Sequence, residues 1–199
     1  MTTADGVRTS GTRGTMLGDY REIWLALIAI VAITAIYAIL LSSTGKVPPA
    51  SELFGHGIGI IGFVMMLMTE TLYSLRKRSR RAKWGKMSSW LQFHIFTGIV
   101  GPYMVLLHSA WKFKGLAGAV MLLTVLIVIS GFIGRYIYTR IPRSVQGMEM
   151  ASALNPQALA NARKMMSLWH AIHVPLGVVL FTTAFIHIGA AIYYATLLH

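Results

Sequence analysis

The chain alternates five long apolar runs with short polar segments. Each run has roughly the 20 residues a helix needs to cross a hydrocarbon core about 30 Å thick. In order, they predict spans at about 22–41, 53–75, 89–111, 115–138 and 167–195. Residues 1–21 are rich in Thr, Gly and Arg, have few large apolar side chains, and predict a disordered tail. The first apolar core is long for a signal-peptide h-region, and SSTGKVPPA behind it is a poor cleavage match, so a retained anchor is expected. A tight link, WKFKG, joins the third run to the fourth. The one long connection, residues 143–166, holds Asn155 as a cap and Pro156 at a first helical position, which predicts a short surface helix over about 156–166. Small residues four apart, Gly55 and Gly59, and three apart, Gly131 and Gly134, mark faces for close helix packing. The expected fold is an all-α membrane protein, a single domain over 22–199 with five transmembrane helices.

Composition agrees with that reading. The 199 residues are 55% hydrophobic and 12% charged, against about 25% charged in an average soluble domain. The net charge of +12 sits in the segments between runs rather than on one face of a domain, which argues for membrane orientation and against nucleic acid. With the N-terminus in the cytoplasm, 15 of the 18 Lys and Arg residues lie inside and Lys46, Lys112 and Lys114 outside. The positive-inside rule therefore predicts a multi-pass protein of the inner (cytoplasmic) membrane with its C-terminus outside. There is no cysteine. That removes disulfides, cysteine-held iron–sulfur clusters and covalent C-x-x-C-H haem attachment.

Four histidines inside apolar runs then require an explanation, because ionisable groups in a bilayer are rare unless they serve a site or find a partner. His94 and His108 are 14 positions apart in the third run, and His173 and His187 are 14 apart in the fifth. That spacing is about 3.9 turns, so each pair leaves one helix face about 21 Å apart. One helix separates the two runs, which therefore point the same way and set His94 level with His173, His108 level with His187. Iron in a porphyrin takes two axial ligands from opposite faces, so each level matches one bis-histidine haem, an inner one on His94 and His173 and an outer one on His108 and His187. Gly98 and Gly101 strip bulk from the third helix between its histidines, making room for a flat group. A zinc or copper site fits less well, since His94 and His108 cannot share an ion and the mid-span regions offer no thiolate or carboxylate.

Other side chains bear on these four. Haem propionates call for cations or donors at the membrane edge. Arg135, with Tyr138 and Arg140, is the candidate for the inner haem, and Lys112, with Trp111 and Lys114, for the outer; snorkelling anchors have the same pattern. His170 competes with His173, but only His173 keeps the spacing of 14. His56 starts the second run near the outer level, as an alternative ligand, a quinol proton acceptor or a plain interfacial residue. Glu70, the only carboxylate well inside a span, is a candidate ion-pair partner of Arg135 or a group for proton uptake. Trp90, Trp111, Trp169, Tyr193 and Tyr194 bracket the third and fifth runs as interfacial anchors. Packing or interhelical hydrogen bonding is the plain alternative for all the histidines.

The paired H-x13-H motifs, His94/His108 and His173/His187, resemble the ferric-reductase-like transmembrane domain shared by ferric reductases and NADPH oxidases. More loosely they resemble the four-helix cytochrome b of quinol-oxidising complexes. The resemblance covers about residues 54–195. It implies two b haems stacked between the third and fifth helices, carrying single electrons across the membrane. Those families have six spans and, in the reductases and oxidases, a flavin and nicotinamide domain. Here five spans are expected, with nothing after the fifth, so electrons are expected to pass to or from a partner subunit or quinone. The function implied is a di-haem b-type cytochrome subunit that anchors a redox complex in lipid and is not catalytic alone. A transmembrane reductase acting on metal or oxygen is the alternative within the redox class. A haem-free scaffold, docking a partner through residues 76–86 and 143–166, is the alternative outside it.

Overall fold

The computed structural model describes residues 20–78, 85–140 and 156–197. Among them the chain is all helical: α1 Arg21–Thr44, α2 Leu53–Arg78, α3 Met87–His108, α4 Gly115–Arg140 and α5 Pro156–Leu197. All five are long and apolar enough to cross a membrane. Large apolar side chains on the outside, such as Val31 at 64% exposure and Ile186 at 58%, suit a surface that meets lipid tails. Residues 1–19 of the expected tail, 79–84 of the basic loop and 143–155 of the long connection lie outside the described residues.

Two boundaries differ from expectation. The third helix stops at His108 rather than near 111, because Ala110 and Trp111 take positive φ values of 46° and 62°, which a right-handed helix cannot continue. The surface helix expected at 156–166 is not separate from the fifth span. Both belong to α5, whose 42 residues make a rod about 63 Å long. Since about 30 Å suffices to cross the hydrocarbon, the first turns of α5 stand beyond the span. α1 ends in the more usual way: Gly45, left-handed at φ 65°, returns its N–H to the Leu41 carbonyl at 2.9 Å.

The helices assemble as two close antiparallel pairs, α2 with α3 and α4 with α5, with α1 laid along α3. α3 and α5 share no extended interface. They are bridged at mid-height by a cluster of Met66, Val120, Leu180 and Ala184, packed round by Phe63, Val105 and Phe181. A second cluster, including Ala26, Tyr37, Ile58, Val100 and Leu107, holds α1 to α2 and α3. α1 is also tied by polar contacts, Thr34 to the Tyr103 hydroxyl and Glu22 to Arg135 of α4.

Candidate functional site

The α2–α3 pair is built about one point. Gly62 faces Gly101 so closely that a Cβ on either would stand 2.9 Å from the other's carbonyl oxygen. Seven residues from Gly101 along α3 are His94 in one direction and His108 in the other, and seven residues from Gly62 along α2 are Thr69 and Gly55. Seven residues is close to two turns, so shallowly crossed helices stay in register over that distance. His94 Nδ1 duly meets the Thr69 carbonyl at 3.0 Å, and His108 Nδ1 meets the Gly55 carbonyl at 2.7 Å. A carbonyl only accepts, so both rings carry the proton on Nδ1 and keep the Nε2 lone pair free. Gly59 supplies the seat for His108, since a Cβ there would come within 2.6 Å of the imidazole. Tyr73 lies against His94, with ring centroids 4.9 Å apart.

α4 braces His173 in another way. Ser130 Oγ is 3.0 Å from His173 Nδ1, and the Ser130 carbonyl accepts the Trp169 indole N–H at 2.7 Å. Trp169 then stacks on His173, centroids 4.6 Å apart and planes at 27°. Gly134, one turn after Ser130, is where that indole rests, because any Cβ would collide with it. Trp169 thus holds His173 against α4. Ser130 and Gly134 on α4, four apart, oppose Trp169 and His173 on α5, also four apart, and this matched spacing is the signal that could have found them.

His173 is within electrostatic range of His94, and His187 of His108. Halfway between His173 and His187 lies Leu180, 1% exposed, in the packed cluster with Met66, Val120 and Ala184 that lies between the two histidine levels. His187 makes no side-chain hydrogen bond among the described residues.

The remaining candidates are placed less as expected. Gly101 faces α2, so the bulk it lacks is needed for the helix crossing, and Gly98 lies near Thr69 on the same side; neither opens a face toward α5. Arg135 is paired with Glu22, Nη2 to Oε1 at 2.7 Å, and not with Glu70. The Glu70 carboxylate reaches toward α5 instead, 3.7 Å from where a Cβ on Gly177 would stand, within electrostatic range of His94. Lys112 is exposed in the α3–α4 turn just past His108. The side chains of Tyr138 and Arg140 lie outside the described residues. His170 has both ring nitrogens engaged, Nδ1 with the Met166 carbonyl and Nε2 with Lys77 Nζ, each at 3.2 Å. His56 is exposed, with Nδ1 3.1 Å from the Ala50 carbonyl and its ring edge-on to His108 at 6.2 Å.

This donor set suits a metal that arrives with most of its coordination filled. Among the described residues no three histidine, cysteine or carboxylate side chains converge as a bare ion would require. His94 with His173, and His108 with His187, are the residues that could hold a metalloporphyrin, whose ring supplies the other four nitrogens. Comparison with known proteins gave no match to this chain, whether among protein families, curated proteins or solved structures.

Proposed function

We propose that the protein is a di-haem b-type cytochrome, an electron-transfer subunit that works with a redox partner in the membrane. The observation that carries this reading is that two apolar helices each hold two histidines 14 apart, with His173 near His94, His187 near His108 and three of the four braced at Nδ1. Haem bound there would supply one-electron transfer at iron. The chain's own part is to present Nε2 of His94 and His173 to one ring and of His108 and His187 to the other. The aliphatic and aromatic packing around Leu180 lies between the two histidine levels. Arg135, already neutralised by Glu22, is the weaker candidate for a propionate, and exposed Lys112 the freer one. By the charge distribution, the His94/His173 level faces the cytoplasm and the other the outside. The partner is a soluble or iron–sulfur subunit on one side, with quinone or an external acceptor on the other.

Colour tests this. Protein purified after haem-replete expression should show a reducible b-type visible spectrum with two haems per chain. A colourless preparation would overturn the proposal and leave a haem-free scaffold.

A further inference from the structure

Among the described residues, three of the four histidines are braced from behind, and the fourth is not. His94 and His108 donate to α2 carbonyls, and His173 meets Ser130 and lies under Trp169. The sequence shows why His187 differs. Fourteen residues before Ser130 on antiparallel α4, level with His187, is Leu116, which has no polar group to offer. Four before His187, where Trp169 stands relative to His173, is Thr183, and its hydroxyl turns back to the Val179 carbonyl of its own helix at 2.7 Å. Phe185 and Ile186 beside it are 53% and 58% exposed, and Gly189 borders open space.

A partner at Nδ1 fixes the ring's orientation and raises the basicity of Nε2, and its loss typically weakens metal binding about 10–100-fold. We propose that the outer site is a ligand-exchange site, at which His187 gives way to a small neutral ligand of the diatomic-gas class while the inner pair stays closed. This rests on the haem reading above. Were haem bound there, His187 Nε2 would release the iron as the incoming ligand took its place. His187 keeps its lone pair, and no electron or proton changes hands. His108, bonded to Gly55 and seated over Gly59, remains as the opposite ligand.

Carbon monoxide added to the reduced, purified two-haem protein is the probe. The absorbance change should account for about half of the haem, because only one pair lacks a brace. His187→Ala should lower the outer haem content and leave whatever outer haem remains fully reactive with carbon monoxide. His108→Ala should abolish the response while the inner haem stays visible. Ser130→Ala, which removes the brace on His173, should raise the reactive share above half. A two-haem wild type with no response, or a response that survives His108→Ala, would overturn the proposal. Absence of haem from the wild type would instead defeat the reading on which it rests.

Discussion

A histidine in a bilayer helix has two ring nitrogens to satisfy, and the partner of one decides what the other can do. His94 and His170 show the contrast: the first spends Nδ1 on a backbone carbonyl and keeps Nε2, while the second has both nitrogens engaged. The choice of His173 over His170 rested on spacing, and the hydrogen bonds now give it a chemical reason. Replacing His94 or His173 by Ala should therefore remove the same haem, leaving the other measurable in the visible spectrum. His170→Ala should leave haem content unchanged. A full two-haem content in His94→Ala would show that the pair is wrongly assigned.

At the scale of elements, the Gly62/Gly101 contact sets the register of both α3 histidines at once. The atom a new Cβ would meet is a backbone oxygen, which cannot rotate away, so the helices must part or slide. Overpacking of this kind costs about 1–3 kcal/mol, enough to disturb a site without unfolding a helix. Gly62→Val or Gly101→Val should accordingly lower both haems together, with helicity by circular dichroism retained. Loss of one haem only would show that the crossing does not position both sites. In the sequence Gly101, together with Gly98, reads as a cleared face for a flat ligand. Glycine spacing shows that two surfaces approach closely, not whether the second surface is a cofactor or a neighbouring helix.

For the whole molecule, the peripheral helix and the membrane orientation are open to test. α1 packs mainly on α3, yet Glu22, 3% exposed, reaches Arg135 on α4. The second Glu22 carboxylate oxygen has no hydrogen-bond partner among the described residues. Removing one member of a buried ion pair costs about 3–5 kcal/mol, whereas apolar replacement of both is often neutral. Glu22→Ala should lower the melting temperature in detergent, and Glu22→Leu combined with Arg135→Met should restore much of it. Equal losses in the single and double variants would show that the pair adds little. Orientation follows from charge alone: a reporter fused after His199 should lie outside, and a cytoplasmic signal would exchange the inner and outer sites.

The sequence by itself determined the number of spans, their approximate bounds and the two histidine levels. Each depends on one-dimensional quantities: run length against bilayer thickness, and spacing against helical pitch. Only the tertiary structure decided what stands behind each histidine. The carbonyls of Thr69 and Gly55 belong to α2 and carry no side-chain signature; their place opposite His94 and His108 depends on the antiparallel register that Gly62 and Gly101 set. The partner of Arg135 was hidden for the same reason. Glu22 lies more than a hundred residues away in the chain and meets Arg135 only because α1 and α4 reach one end of the bundle.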